Sequence, residues 1–473
     1  MSYSINRQPL LRGISDSEFE DDIETEIEEP SISKQDEEPF IKPHEPTDRF
    51  QFAYLVFYLL GVTTLIPWCF FMTADEYWMY KFREIRNDSG NHNYTLADQL
   101  GNKTDLQASF MSYLSVCGAI PNTLFLIINA FISDKISLEL RMIGSQGVVL
   151  IIFLVTTAFV KADTDHWQSL FLIITLSSVA LMNMISAIFG GGLLGISGRF
   201  PPRYITAMSG GQALGGILAA LADIFCLWLG ASPVVSALLY FVIGDAILFF
   251  SLVSYIFLQK TDFFKYYTHV KTRHSSREQN YTVNGDVTFS HEHKFSYLRI
   301  AKRIWKYGLS LFLVFFVTMS VCPAVTVLVE SKNRGHGHAW NDIYFVPVVT
   351  YLLFSCGDYA GRLISGIFLW PKGKPWLVMY MCILRVAFVP AFLYCNAQPR
   401  HNLPVYIDSD LFYIFMTIIF ALTNGYLCNM IFILVPTVVD PQEREVASAM
   451  MGGFLGLGIS FGSAVSLGLV KVL

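Results

Sequence analysis

A chain of 473 residues that is 53% hydrophobic and only 15% charged, with a mean hydropathy of +0.45, excludes an ordinary soluble domain and reads as a polytopic membrane protein. The formal net charge of -5 is unevenly spread, because residues 1–48 hold fourteen Asp or Glu against four Lys or Arg, so the remainder is net positive. All eight cysteines fall in or beside apolar segments, which excludes a disulfide framework in the loops.

The acidic stretch 1–48 is expected to be a disordered cytosolic tail. It lacks the basic end and apolar core of a cleavable signal peptide, so the first membrane span is expected to act as the targeting signal. Within it, "NRQPLLRG" places Leu10 and Leu11 as in dileucine sorting signals of endosomal and lysosomal proteins, although Asn6 stands where an acidic residue is usual. Sorting adaptors are the expected partners there.

A span needs about 20 apolar residues, and that length predicts eleven: 50–74, 108–133, 141–160, 168–197, 204–230, 233–258, 307–329, 342–370, 376–396, 409–437 and 445–472. The fold class expected is all-α, with a six-helix bundle at 49–258, a basic cytosolic loop at 259–306 and a five-helix bundle at 307–473. Such a 6+5 layout resembles secondary transporters that bind substrate at the midplane between two rocking halves. With the N-terminus inside, the cytosolic segments carry twenty-two of the thirty-three Lys and Arg, in line with the positive-inside rule. That orientation puts the loop 75–107 outside, where three sequons begin at Asn87, Asn93 and Asn102 and predict glycosylation. A fourth, at Asn280, falls in the cytosolic loop and is expected to be silent.

The first span reads "GVTTLIPWCFFMTADEYW", and its Pro67-Trp68 pair offers either a flat surface for a ring-shaped solute or a packing aromatic. Spans four and five bracket "FGGGLLGISGRFPPRY" and "MSGGQALGG", whose small residues let helices approach closely; no Walker lysine follows the glycines. Arg141 opens span three and Glu445 opens span eleven, both at the cytosolic face, and are expected to pair as a gate. Asp223, Asp245 and Arg385 are expected to pair internally or lie near helix ends. His336 and His338 lack a third ligand of suitable spacing, so no metal and no cofactor is expected.

The span-eight stretch "FSCGDYAGRLIS" puts Asp358 and Arg362 four residues apart, on one helix face, inside the membrane. A buried pair is often no more stabilising than apolar residues of the same size, which favours a functional reason. With no net charge, carboxylate acceptors and guanidinium donors suit an uncharged solute with neighbouring hydroxyls. Together with Trp68 they fit a solute with a sugar at one end and a flat ring at the other.

The segments "LIPWCFFMTADEYW", "GRFPPRYITAMSGGQALGG", "GDYAGRLIS" and "FALTNGYLCNMIF", in this order, resemble the signatures of the equilibrative nucleoside transporters (solute carrier family 29) from about residue 48 to the end. The "DRF" and "EYWMYKFRE" stretches look closest to the family's lysosomal branch. The resemblance implies a major-facilitator-like fold and facilitated diffusion of purine and pyrimidine nucleosides across a lipid bilayer by alternating access. It implies ribose contacts from Asp358 and Arg362, substrate-site roles for Trp68 and Met72, a cavity-lining Pro323 in "CPAVTV", and a fifth-helix glycine motif at Gln212 and Gly216.

Cys69 replaces a common Asn, glycines at 190–192 replace a purine-contacting Gln of some members, and Ser355 stands where some have Asn, so base selectivity does not carry over. Gly210 and Gly211 replace the acidic residue of cation-transporting relatives, which disfavours an organic cation. Proton-coupled nucleoside or nucleobase transport stays open as the alternative. No nucleophile with its base and no zinc motif points to an enzyme. An endolysosomal membrane is favoured over the plasma membrane.

Overall fold

Backbone amides in hydrocarbon find no water, so a segment that crosses it must satisfy its own N–H and C=O groups. The computed structural model describes residues 46–83, 105–132, 136–230, 232–268, 296–398, 400 and 403–473. These residues are helical throughout their long apolar segments, with two isolated β-bridges, Val329 to Ala397 and Cys395 to Ile407. In chain order the long helices are α1 (Phe52–Thr73), α2 (Asp105–Ile132), α3 (Ser145–Val160), α4 (Gln168–Ser197), α5 (Pro202–Leu229), α6 (Pro233–Lys260) and α7 (Tyr297–Val321). They continue with α8 (Phe354–Ile367), α9 (Pro375–Leu384, extended through a tight turn to Leu393), α10 (Asp410–Leu434) and α11 (Arg444–Val472).

Among the described residues, nine helices are long and apolar enough to cross a membrane. The expected spans 108–133 and 342–370 are helical but fall short of that measure. In α2 the apolar run shrinks to Val116–Phe131. Ahead of α8 the chain forms wide π-helical turns, Trp340–Tyr344 and Val346–Leu353, and α8 itself carries two charges. Pro347 lies in the second of these turns and supplies no N–H to the helical ladder.

Helix ends follow local chemistry. Prolines open α5, α6 and α9, where a missing N–H costs nothing. Gly230, at φ +57, closes α5. Asp48 accepts from the amides of Ala53 and Tyr54 at 3.0 and 3.1 Å, and so caps the start of α1.

α1 lies along α5, α7 along α11, α8 along α10 and α2 along α4; α2 and α4 also rest on α11, and α5 rests on α8. A glycine contact explains how closely α8 and α10 cross. A Cβ on Gly425 of α10 would collide with the carbonyl of Asp358, so no larger residue lets α8 and α10 meet there. Isoleucines, leucines and phenylalanines such as Ile151, Leu154, Phe250, Leu411 and Phe415 remain exposed, as surfaces solvated by lipid tails do. The sequons at Asn87, Asn93, Asn102 and Asn280, the Leu10-Leu11 pair, and most of loops 75–107 and 259–306 lie outside the described residues.

Candidate functional site

The i, i+4 spacing on α8 brings the two charges together: Arg362 Nε donates to Asp358 Oδ2 at 2.8 Å, and each residue is only 5% exposed. Neither charge relies on the other alone. Asn424 of α10 donates its Nδ2 to Asp358 Oδ1 at 2.7 Å. Arg362 Nη1 crosses to α5, where it donates to the carbonyl and hydroxyl oxygens of Ser209, each at 2.9 Å, and to Gln212 Oε1 at 3.1 Å. Three helices therefore converge on one ion pair whose other hydrogen bonds run to neutral groups. An uncompensated buried charge would cost several kcal/mol.

Two further polar contacts tie α8 to its neighbours. Tyr359 and Tyr58 of α1 share a hydroxyl–hydroxyl hydrogen bond of 2.9 Å. Asn429 of α10 donates to the Arg362 carbonyl and Ser365 Oγ, both at 2.9 Å, and to Thr206 Oγ1 of α5 at 3.3 Å. On α5, Gly216 faces the hydroxyl of Ser355, close enough that a Cβ there would crowd it.

The other residues expected at the substrate site, Trp68, Met72 and Pro323, make no hydrogen bond or ion pair to Asp358 or Arg362 among the described residues. The Trp68 indole lies against Gly118 of α2, and Met72 packs beside the buried aromatic cluster of Phe70, Phe71 and Trp78. Pro323 is exposed just beyond the end of α7, where its carbonyl accepts from the Val327 amide at 2.9 Å.

The Arg141 and Glu445 side chains meet: Arg141 Nη2 donates to Glu445 Oε1 at 2.7 Å, from the π-helical turn Leu140–Gly144 to the first turn of α11. Arg199, in the turn between α4 and α5, binds the other carboxylate oxygen, so Glu445 lies between two guanidiniums. Arg199 also donates to the carbonyl of Thr268 at 3.2 Å.

The remaining intramembrane charges have internal partners. Asp223 accepts from the Tyr240 hydroxyl at 3.4 Å and Asp245 from Thr157 at 2.7 Å. Arg385 donates to Phe420, Thr423, Thr318 and Asn424. His336 approaches only the Asn333 carbonyl, at 3.2 Å, and no group of three metal-ligating side chains occurs among the described residues.

Sequence reasoning passed over Ser209, Asn424, Arg199 and the Tyr58–Tyr359 bond. Asn424 alone left a signal, as a polar residue in the quoted α10 motif facing two membrane charges that need partners. Ser209 and Tyr58 look like any small or aromatic residue of a membrane helix.

A family model described as "Nucleoside transporter" matches residues 176–471. Equilibrative nucleoside transporter 1 of Homo sapiens is 32% identical over 452 residues, covering 89% of this chain and 98% of that protein. Equilibrative nucleoside transporter 3 of Rattus norvegicus is 31% identical over 428 residues, covering 89% of each. Among solved structures, the proton:xylose symporter XylE of the major facilitator superfamily is similar in fold, with a TM-score of 0.55 at 11% identity and 87% coverage of both chains.

Proposed function

This chain belongs to the equilibrative nucleoside transporter family, a family of membrane transporters and not of enzymes, and on that premise we propose that it carries nucleosides down their gradient by alternating access. One observation carries the proposal: Arg362, paired with Asp358, spends its outward donors on Ser209 and Gln212. A serine hydroxyl and a neighbouring amide oxygen supply to the guanidinium what the 2′ and 3′ hydroxyls of a ribose would supply. Arriving substrate can therefore exchange for these side chains without leaving a bare charge.

In this reading the chain crosses the membrane eleven times, as a six-helix and a five-helix bundle, with α2 and α8 among the spans and the N-terminus in the cytosol. Trp68, Met72, Pro323 and Ser355 line the path around the ribose site, and Gln212 and Gly216 bring α5 against α8. Most of the hydrogen bonds that join the two bundles support a state closed on the cytosolic side, while Thr123 of α2 bonds Gly456 and Ser460 near the middle of α11. Thr206 to Asn429, Arg362 to Ser209 and Gln212, and Tyr58 to Tyr359 all lie in the cytosolic halves of their helices. Arg141, Arg199 and Glu445 form the outermost layer of that closure and act as its gate. Asn87, Asn93 and Asn102 carry glycans on the opposite side.

Purified protein in proteoliposomes tests the reading. Radiolabelled uridine and adenosine should enter to equilibrium and no further, whether or not a pH gradient is imposed at fixed membrane potential. Accumulation above equilibrium driven by the gradient would replace this reading with proton-coupled transport of nucleosides or nucleobases. Uptake of an organic cation in place of uridine would replace it with the cation alternative. Leu10 and Leu11 direct the protein to endolysosomal membranes through sorting adaptors; a tagged Leu10→Ala/Leu11→Ala chain should redistribute to the cell surface, and an unchanged distribution would remove that assignment.

A further inference from the structure

The α10 motif "FALTNGYLCNMIF" has a polar centre, Thr423-Asn424-Gly425, in a largely apolar helix whose other buried amide, Asn429, lies one turn further on. Its surroundings explain that centre. On one side stands Arg385, 2% exposed in the middle of the predicted ninth span. Its Nη1 donates to the Phe420 carbonyl at 3.0 Å and to the Thr423 hydroxyl, and its guanidinium carbon lies 4.8 Å from the centre of the Phe420 ring. Its Nη2 donates to Thr318 Oγ1 of α7 at 2.9 Å and reaches Asn424 Oδ1 at 3.4 Å. On the other side stands Asp358, which takes the Asn424 Nδ2 at 2.7 Å.

A carboxamide donates from one end and accepts at the other. Asn424 Oδ1 is held by the Thr318 hydroxyl at 2.7 Å and by Arg385, so only its NH2 end can face α8. A reversed amide would set oxygen against the Asp358 carboxylate and NH2 against a guanidinium. Gly425 completes the arrangement, because the absence of its side chain brings α10 within reach of α8.

We propose that Arg385 and Asn424 are positioning residues for the ribose site. Arg385, through Thr318 and the Asn424 amide, fixes the donor that holds Asp358 Oδ1, and thereby sets the plane in which Asp358 and Arg362 meet the sugar hydroxyls. A helix-nine residue that need not touch substrate thus governs ribose recognition. The inference rests on the nucleoside reading of the Asp358–Arg362 pair given above.

The test compares uridine with 2′,3′-dideoxyuridine as uptake substrates in proteoliposomes, for wild type, Asn424→Ser, Arg385→Gln and the double variant, at matched amounts of folded protein. Each single variant should raise the KM for uridine about tenfold, leave the KM for the dideoxy analogue nearly unchanged, and so erase most of the discrimination between them. Because Arg385 acts through Asn424, the double variant should be no worse than Asn424→Ser alone. If Arg385→Gln does not accumulate as folded protein, Arg385→Lys takes its place with the same expectation, since one ammonium group cannot span Thr423 and Thr318 together. Equal loss for both substrates, or additive losses in the double variant, would overturn the inference and leave Arg385 as a packing residue. A wild type that does not discriminate between the two substrates would instead overturn the ribose reading itself, and this inference with it.

Discussion

A buried ion pair on α8 and a buried three-residue charge cluster at Glu445 are built in opposite ways. Asp358 and Arg362 sit four residues apart on one helix, and their ties to α5 and α10 are hydrogen bonds to neutral groups. Arg141, Arg199 and Glu445 come from three separate places in the chain, so that cluster exists only while the start of α11 stays beside the turn after α4 and the turn before α3. Any rigid-body movement of α8 away from α5 keeps the first pair intact and breaks only neutral contacts. The same movement of α11 must part opposite charges. The difference follows from where a bare charge is tolerable. In mid-hydrocarbon it is expensive, by about 2.5 to 3.5 kcal/mol on insertion scales, whereas at the membrane edge water enters as the charges separate.

The largest expected effect comes from removing one charge of the intrahelical pair. Arg362→Leu leaves Asp358 with only Asn424, and we expect a chain that fails to accumulate, read as loss of monodisperse protein on size-exclusion chromatography. Arg362→Lys keeps the charge but loses the planar fork that binds Asp358 and α5 at once. It should fold, yet lose about 1.5 to 3 kcal/mol of substrate binding, or roughly ten- to a hundredfold in affinity for uridine. Normal affinity in Arg362→Lys would return the pair to a purely architectural role.

The Arg141–Arg199–Glu445 cluster should break less severely, because water can compensate. Glu445→Gln leaves Arg141 and Arg199 facing each other, and uptake is expected to fall severalfold with the protein still folded. The exchange Arg141→Glu with Glu445→Arg should restore only part of it, because the arginine introduced at 445 then meets Arg199. Adding Arg199→Gln to the exchange should improve the recovery. Full recovery by the two-residue exchange would mean that Arg199 contributes nothing.

The smallest effect is expected at Tyr359→Phe, which deletes one neutral hydroxyl bridge between α8 and α1, about 0.5 to 1.5 kcal/mol. A cysteine introduced at Thr206 should then label a few times faster from the cytosolic side with a membrane-impermeant maleimide. Unchanged labelling would show that this bridge does not hold the cytosolic side closed.

Much of the site was readable in one dimension because it obeys helical periodicity. The spacing of Asp358 and Arg362 fixes their pairing whatever surrounds them. Arg141 and Glu445 could be matched only by assuming a topology that placed both at one membrane face. The second partner of Glu445 escaped notice because Arg199 reads as one more basic residue of a cytosolic turn. Trp68 shows the reverse case. Its aromatic surface was legible, but the indole packs on Gly118 of α2, a neighbour that no local pattern names.

Composition and hydropathy alone determined that this chain is a helical membrane protein, since apolar segments about twenty residues long have no other way to satisfy their backbone in lipid. The ordered motifs alone determined its family. Tertiary structure decided which neutral groups complete each charge: Ser209 and Gln212 from α5 for Arg362, Asn424 from α10 for Asp358, and Arg199 for Glu445. Those partners come from residues as many as 246 positions away along the chain. A side chain's donors and acceptors are assigned by which helices cross, and crossing is set by glycine contacts such as Gly425 against Asp358, a property of two surfaces that neither strand of sequence contains by itself.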